Sequence, residues 1–390
     1  MKKRVALYCF YDDKGIVRDF VLFYLKELRR VCGDIWVVAN CELTSVSRKK
    51  LKALGVHVFE RENSGFDVMA WKETMEKIGW DNLIFYDELI ICNYTCYGPV
   101  YPFEEMFSKM ENKECDFWGA VKHPEQPTYL LPNKQGYVYE HIMSYFIVVR
   151  NRMLSSQDFK DYWDYMPPII TKSDAVGNNE TFFTKHFEDL GYISDSYVDL
   201  SKYKGRCYNS SIILANDLLI KDRCPLVKRR AFFFPEYGAL LDVSDTSQTV
   251  ELMKYLKDNT DYNTELIWDD ILHTQKLSRL NTNMHFGKVL PSETEYKRSI
   301  KKACILIYLP EMLHADILMP YMQTLKKCYK VKILYSDNSV GVYAMNIMKD
   351  YLKDDDFERV SISSGRVSLG CLPVVLKESK NVQYVACLFN

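Results

Sequence analysis

The amino-acid sequence predicts an α/β protein with a mixed sheet and helices on both faces. In the first hundred residues, short apolar runs alternate with stretches whose apolar residues recur every three or four positions. This alternation is typical of parallel strands joined by helical crossovers, in which ligands bind at the carboxyl ends of the strands. The last ninety residues repeat part of the same order. A chain of 390 residues is also long enough for two or three domains.

The predicted elements follow one another regularly. Strands are expected at residues 5–8, 35–39, 56–59 and 83–92, with helices at 16–31, from the forties to Gly55, and at 68–78. After these come a helix at 103–110, strands at 116–120 and 144–149, and helices at 155–165 and 179–190. The polar stretch 239–295 carries apolar stripes at helical spacing, which indicates a helical connector or packing arm.

Similar short segments that lie 300 positions apart indicate an internal repeat. Ala6-Leu7-Tyr8 corresponds to Leu306-Ile307-Tyr308, and Ser64-Gly65 corresponds to Ser364-Gly365. The second copy stops after four strands, so the chain is expected to be a fragment of a longer two-domain protein or a degenerate duplicate; the alternative is that two unrelated β-α units look alike. We therefore expect a first domain over 1–235, a helical connector over 236–299 and a partial repeat over 300–390.

Composition excludes several classes of protein. A net charge of −1 is too balanced for general nucleic-acid binding, and 26% charged residues exclude a disordered chain. The twelve cysteines are scattered without paired metal spacing, which favours free thiols over a zinc site. The first residues lack a cleavage site, and no apolar run could span a bilayer, so we expect a cytoplasmic protein. Aromatic residues make up 14% of the chain, which suits a core, a carbohydrate platform or an interface equally.

The segment Arg61-Glu62-Asn63-Ser64-Gly65-Phe66-Asp67 lies between a predicted strand and helix. Gly65 would permit close approach of a ligand to the backbone, and the helix start would offer unpaired N–H donors. Asp67 could accept hydrogen bonds from a nucleotide. Asp67 could equally be an ordinary acidic residue in the first turn of a helix. Neither a dinucleotide fingerprint nor a phosphate-binding loop is present.

A second candidate segment follows the fourth predicted strand. Asn93 and Thr95 would be delivered to the carboxyl edge of the sheet, where nucleotide-sugar enzymes hold carboxylates that bind Mg²⁺ or Mn²⁺. Both residues would be weak ligands, and Tyr94 between them cannot replace a carboxylate. Asp87 lies earlier in the same strand, where a structural role is expected.

Taken together and in order, these motifs resemble the rhamnan synthesis protein F family over residues 1–235. Its members are GT-A-like glycosyltransferases of bacterial cell-wall and surface polysaccharides. The resemblance is carried by Asn63-x-Gly65-x-Asp67, Tyr86-Asp87-Glu88 through Asn93-x-Thr95 and Gly98-Pro99, Asp116-Phe117-Trp118-Gly119, Glu140-His141-Ile142-x-Ser144-Tyr145-Phe146, Glu180, and Cys224-Pro225-x-x-Lys228.

The resemblance implies an inverting transfer of a deoxyhexose, L-rhamnose from dTDP-rhamnose, to a lipid-linked glycan. Asn63, Gly65 and Asp67 would then cradle the donor nucleotide, Asn93 and Thr95 would face its diphosphate, and Lys228 with Arg229 would offset the charge of the diphosphate. Glu180 is the candidate general base, or else a carboxylate that answers a helix dipole. His141 is a weaker candidate for this base and for contact with the acceptor, and Trp118 and Tyr145 could stack on the acceptor sugar, although a packed or capping histidine and core aromatics would look the same.

Two departures from the family pattern bear on chemistry. Asn93-Tyr94-Thr95 stands where Asn-Asp-Ser is expected, so the sequence leaves open whether Mg²⁺ or Mn²⁺ takes part. In the second copy, Val367 replaces Asp67. These losses motivate an alternative function, a non-catalytic nucleotide- or glycan-binding partner of a polysaccharide assembly complex. Lys228-Arg229-Arg230 beside Phe232-Phe233-Phe234 could also touch the inner face of an anionic membrane, or form a strand with a basic lead-in.

Overall fold

The computed structural model describes residues 2–127, 137–203, 210–233, 247–277, 280, 284, 303–361, 374 and 384–388. The chain divides into two compact units, Met1–Gly287 and Lys288–Asn390. No helix in the described ranges combines the length and the apolar character needed to cross a bilayer. Eight described cysteines, among them Cys9, Cys92 and Cys96, are free thiols.

The first unit is built on a mixed eight-stranded sheet, which confirms the predicted α/β class. Its strands run in the order β11-β6-β10-β4-β1-β2-β3, with β9 paired to β6 outside this path. Strands β3, β2, β1 and β4 are parallel, as the β-α alternation predicts, whereas β10 is antiparallel to both of its neighbours. The bounds are β1 Arg4–Phe10, β2 Asp34–Ala39, β3 His57–Glu60, β4 Glu88–Asn93, β5 Cys96–Tyr97, β6 Phe117–His123, β7 Gln126–Pro127, β8 Tyr137–Val138, β9 His141–Ile142, β10 Phe146–Arg150, β11 Ser194–Val198 and β12 Val227–Lys228.

Helices cover both faces of this sheet. Along β1, Ala6, Tyr8 and Phe10 belong to one apolar core, and the alternate residues belong to the core on the other face. The bounds are α1 Asp19–Leu28, α2 Ser45–Ala53, α3 Phe66–Ile78, α4 Trp80–Leu83, α5 Phe103–Glu111, α6 Asn151–Leu154, α7 Gln157–Asp164, α8 Lys172–Ala175, a π-helix Val176–Glu180, α9 Thr181–Asp189, α10 Ser210–Ile213, α11 Ala215–Ile220, α12 Ser247–Asn259 and α13 Glu265–Thr274, with short 3₁₀-helices at Ser201–Tyr203 and Arg229–Phe232.

One predicted strand begins later than expected. The sequence predicts a fourth strand from residue 83, but residues Trp80–Leu83 form the short helix α4 and the strand starts at Glu88. Gly79 adopts a φ of 89° and ends α3, and the side chain of Asn82 donates to the carbonyl of Ile78. The chain therefore makes a further helical turn before it enters the sheet.

The second unit repeats the central topology of the first. Its four-stranded sheet has the order β15-β14-β13-β16, and all of its pairs are parallel, as in β3-β2-β1-β4. The bounds are β13 Ala303–Leu309, α14 Met312–Leu318, α15 Met322–Cys328, β14 Lys330–Tyr335, α16 Asn338–Met348, β15 Phe357–Arg359 and β16 Tyr384–Leu388, with short 3₁₀-helices at Met319–Tyr321 and Asp354–Asp356. The expected repeat of Ser64-Gly65 and the position of Val367 lie outside the described residues.

The helices of the expected connector pack into the first unit. Leu252 and Leu256 of α12 and Ile267 and Ile271 of α13 belong to the same apolar core as α1. Asp270 of α13, only 1% exposed, forms an ion pair with the guanidinium of Arg229 at 2.7 Å. These contacts attach α12 and α13 to the sheet domain, whereas the predicted boundaries at 235 and 299 set this segment apart.

Replacement of Asp270 by Asn should destabilise the first unit by about 3 kcal/mol, because it leaves the Arg229 guanidinium buried without a countercharge. All six tryptophans lie in this unit, so their fluorescence in a urea titration reports its unfolding alone. The matched control is Asp269→Asn, one residue away on the same helix and about half exposed. Equal unfolding midpoints for the two variants would show that the ion pair does not stabilise the first unit by this amount.

Candidate functional site

The loop between β3 and α3 is held by the side chain of Arg61. Its guanidinium donates to both carboxylate oxygens of Glu73 at 2.7 Å, to the amide oxygen of Asn40 at 2.9 Å and to the carbonyl of Ser64 at 2.7 Å. Asn40 follows β2 and is buried. Its amide in turn donates to the carbonyl of Phe66 and to the side chain of Asn63. Arg61 and Asn40 therefore fix the shape of the loop that carries Asn63 and Gly65.

The turn into α3 requires a backbone conformation that most residues avoid. Gly65 has a φ of 70°, and a Cβ atom there would lie 2.1 Å from Cγ of Met69. Phe66 also has a positive φ, 57°. A bulky residue in this region costs about 1–3 kcal/mol and persists only where its surroundings hold it. The hydrogen bond from Asn40 to the Phe66 carbonyl, at 2.8 Å, supplies such a constraint.

A continuous chain of hydrogen bonds joins three elements at the carboxyl edge of the sheet. The amide of Asn93, at the end of β4, donates to Asp67 in the first turn of α3 at 3.0 Å. The amide oxygen of Asn93 accepts from the backbone and the hydroxyl of Thr95. Lys228 of β12 donates to that hydroxyl at 3.0 Å, and its ammonium lies 4.5 Å from the centre of the Tyr145 ring. Four predicted donor-site residues therefore lie together.

Glu180 lies near this chain. Burial raises the pKa of Asp67, and the carboxylate of Glu180 raises it further, while Asn93 and Lys228 lower it by less. Glu180 is the last residue of the π-helix, and its carboxylate accepts a long hydrogen bond of 3.5 Å from the backbone N–H of Ser144. Such π-helical segments recur at functional sites. A carboxylate suited to act as a base thus stands beside the predicted donor residues.

His141 is neutral at pH 7. Burial lowers its pKa to about 4, and the neighbouring imidazole of His123 acts in the same direction. The two rings are stacked, with centres 5.0 Å apart, and Nδ1 of His141 contacts the carbonyl of Tyr139 at 2.7 Å. These contacts are those of a packed histidine pair, the alternative that the sequence leaves open.

Two aromatic residues expected at the acceptor face lie in the core. Trp118 is 1% exposed, and its ring packs against Phe107 and Phe146. Tyr145 is buried beneath Lys228 and shares a long hydrogen bond with Ser211. Because neither ring presents a face to solvent, the geometry supports the core role for both. Tyr145 instead serves as the platform on which the Lys228 ammonium rests.

The basic segment after β12 departs most from expectation. The guanidinium of Arg229 is committed to the buried Asp270, so it is not available to a diphosphate. Phe232 is buried and its ring lies 5.4 Å from that of Tyr97. The expected basic and aromatic membrane patch is therefore wrong for these two residues, since both belong to the interior; Phe234 lies outside the described residues.

The sequence reasoning missed Asn40, Arg61 and Ser144. Asn40 directly follows the second predicted strand, so the rule that places ligands at the carboxyl ends of parallel strands could have found it. Arg61 opens the motif that was singled out, but nothing in the sequence indicates that it reaches Asn40 and Glu73. Ser144 contributes its backbone N–H, which no side-chain pattern can reveal.

Comparison with known proteins gives a family match over nearly the whole chain. The model of the family described as rhamnan synthesis protein F matches residues 35–386. A curated relative is an uncharacterized protein, y4gN, of Sinorhizobium fredii strain NBRC 101917 / NGR234, with 22% identity over 195 residues, which are 50% of this chain and 48% of that protein. The chain thus spans about half the length of this curated relative.

Solved structures show only distant likeness. The glycosyltransferase GlyE of Streptococcus pneumoniae TIGR4 covers 98% of this chain and 100% of its own, with 8% identity and a TM-score of 0.33. TarS of S. aureus covers 76% of this chain and 57% of its own, with 12% identity and a TM-score of 0.32. TM-scores this low carry no argument about function.

Replacement of Gly65 by Ala should destabilise the first unit by more than about 2 kcal/mol, because the new Cβ meets both an unfavourable φ and Met69. Two other glycines separate these effects. Gly191 has a φ of 87° with open space around it, and Gly33 has neither constraint. Urea unfolding should rank the alanine variants in the order Gly65, Gly191, Gly33, from the most to the least destabilised. A cost at Gly65 no larger than at Gly191 would contradict the steric argument.

Replacement of Asp67 by Asn should stabilise the first unit at pH 7. The folded structure raises the pKa of Asp67, so the ionised carboxylate disfavours folding at neutral pH, and this penalty disappears as the carboxyl becomes protonated. The stability gap between variant and parent should therefore close as the pH falls from 8 to about 4. The exposed Asp261, replaced by Asn, is the control and should show no such convergence. A stability difference between variant and parent that grows on acidification would contradict the raised pKa of Asp67.

Proposed function

Because this chain belongs to the rhamnan synthesis protein F family, we propose that it is a glycosyltransferase of polysaccharide synthesis. The donor is dTDP-rhamnose, and the transferred group is L-rhamnose. The acceptor is a lipid-linked cell-wall or surface glycan, met at the cytoplasmic face of the membrane. The observation that carries the proposal is the hydrogen-bond chain from Asp67 through Asn93 and Thr95 to Lys228, with Glu180 beside it.

In this proposal, the donor nucleotide binds at the turn into α3. Gly65 lets the donor approach the backbone, and the first N–H groups of the thirteen-residue helix α3 suit a negatively charged group. Lys228 places an ammonium 3.0 Å from Thr95, where it offsets the charge of the diphosphate. Arg61 and Asn40 hold the loop in place and contact no substrate.

Transfer then proceeds by a single displacement with inversion. The acceptor hydroxyl oxygen forms a bond to C1 of the sugar while the bond between C1 and the diphosphate oxygen breaks. The hydroxyl proton passes to the carboxylate of Glu180, and the electron pair of the broken bond leaves with dTDP. His141 is neutral and buried, so its part is to pack beneath this region rather than to take the proton.

At this edge, Asp67 is the side chain that could hold Mg²⁺ or Mn²⁺, together with the diphosphate of a bound donor. The amide oxygen of Asn93 already accepts two hydrogen bonds from Thr95. Within the described part of the chain, no three His, Cys, Asp or Glu side chains gather as ligands. An ion held by one carboxylate and the diphosphate is a common arrangement for Mg²⁺, and it would neutralise charge on the leaving group.

The test combines turnover with binding. With dTDP-rhamnose and a lipid-linked rhamnose-containing glycan, the protein should lengthen the glycan and release dTDP. Glu180→Gln should lower kcat by about 100-fold or more, because the base is lost, while the affinity for dTDP measured by calorimetry stays within about twofold. The control is Glu62→Gln, an exposed glutamate in the β3–α3 loop, which should leave both quantities unchanged.

Each other result has a definite meaning. Turnover of UDP-glucose but not of dTDP-rhamnose would overturn the assigned sugar. Binding of dTDP without any turnover would favour the non-catalytic partner that the loss of an acid at Tyr94 suggests. No binding of dTDP, with or without Mn²⁺, would overturn the donor site itself.

A further inference from the structure

A second concave surface lies apart from the donor residues. A groove of about 480 Å³ opens between the end of α7, the π-helix and α9. None of Asp67, Asn93, Thr95, Lys228 and Glu180 lines it. Its volume falls within the ~300–1,000 Å³ that is usual for small-molecule sites. We call this surface the α7–α9 groove.

One wall of the α7–α9 groove is a set of aromatic rings. Tyr165 is 81% exposed, so its ring is open to solvent. In the same lining, the ring of Tyr162 packs at 5.1 Å from His186, which lies 5.6 Å from Phe182. The amide of Asn179 also donates to the hydroxyl of Tyr162 at 2.9 Å. The groove therefore offers an exposed flat ring, and the other rings of its lining are held in place by their own contacts.

The polar groups of the groove are hydrogen-bond acceptors rather than cations. Asp158 and Asp161 contribute carboxylates, Asn178 lies on the π-helix, and the lining contains no Lys or Arg. Burial lowers the pKa of His186, so its imidazole adds no positive charge at pH 7. A phosphate or another anion would meet two carboxylates and no Lys or Arg side chain in the lining. A neutral ligand rich in hydroxyl groups would instead donate to them.

Rings and carboxylates together match the chemistry of a sugar chain. A pyranose presents C–H groups on its faces, which pack on an aromatic ring, and hydroxyl groups at its edge, which donate to acceptors. The groove also shares an element with the candidate base. Gly177 and Asn178 line it, and the same π-helix ends at Glu180. A chain bound in the groove would thus lie along the helix that carries the base.

We propose that the α7–α9 groove binds a neutral oligosaccharide, the part of the acceptor glycan behind its reacting end. That this glycan is an acceptor rests on the proposed function; that the groove binds a neutral sugar chain rests on its lining. Tyr165 supplies the stacking face, and Asp158 and Asp161 accept hydrogen bonds from sugar hydroxyls.

The test measures the binding of short rhamnose oligosaccharides to the full chain by saturation-transfer NMR and calorimetry. Tyr165→Ala should weaken binding about tenfold, and Tyr165→Phe, which keeps the ring, should stay within about threefold of the parent. The matched control is Tyr321→Ala, because Tyr321 is also a well exposed tyrosine, at 62%, but belongs to the second unit. Oligosaccharides of a uronic acid, of the same length, should bind more weakly because of the two carboxylates.

The design separates this proposal from the donor site. Groove variants should keep their affinity for dTDP, and Asp67→Asn should keep its affinity for the oligosaccharide. Equal binding by Tyr165→Ala and the parent, or tighter binding of the uronic acid chain, would overturn the groove while leaving the donor site standing. Oligosaccharide binding that depends on Tyr165, in a protein that does not bind dTDP, would support the groove and overturn the proposed transfer.

Discussion

The hydrogen-bond chain from Asp67 to Lys228 is the interaction on which the candidate site depends. It joins the first turn of α3, the end of β4 and the short strand β12, which lie far apart in sequence. The parallel register of the sheet makes this possible. The ladder continues past the strand ends, with backbone bonds from Asn40 to Phe10 and from Tyr94 to Cys9. The ends of three strands, β1, β2 and β4, are thereby held at one edge, which brings short polar side chains placed there close together.

The aromatic excess divides between two physical roles. Both rings predicted to contact the acceptor sugar, Trp118 and Tyr145, lie in the core, where they fill the space between sheet and helices. Aromatic side chains bury large areas, so a sheet covered on both faces accounts for most of the excess. In the α7–α9 groove, by contrast, the ring of Tyr165 is exposed to solvent. An exposed ring in a groove is a different signal from a high aromatic fraction, and composition alone cannot separate the two.

The sequence predicts the strands and the strand ends that meet at one edge of the sheet better than it predicts which side chains contact one another. The β-α alternation predicts the parallel run of β1 to β4, and the strand-end rule places Asp67, Asn93 and Thr95 together. Arg229 was misassigned because its partner, Asp270, lies forty-one residues away on a helix expected to be a connector. Long-range ion pairs depend on how helices pack, and no local pattern encodes that packing. The same limit hid the contact of Arg61 with Asn40.

The second unit shares the strand order of the first unit but differs from it at two described strand ends. Its strands have the order and direction of β3-β2-β1-β4, so it possesses the same kind of carboxyl edge. Ser336 directly follows β14 as Asn40 follows β2, and Val360 directly follows β15 as Arg61 follows β3. The side chain of Val360 cannot donate a hydrogen bond. The hydroxyl of Ser336 is hydrogen-bonded to the hydroxyl of Tyr308. The side-chain hydrogen bonds of Asn40 and Arg61 in the first unit therefore have no counterpart at these two described positions of the second unit.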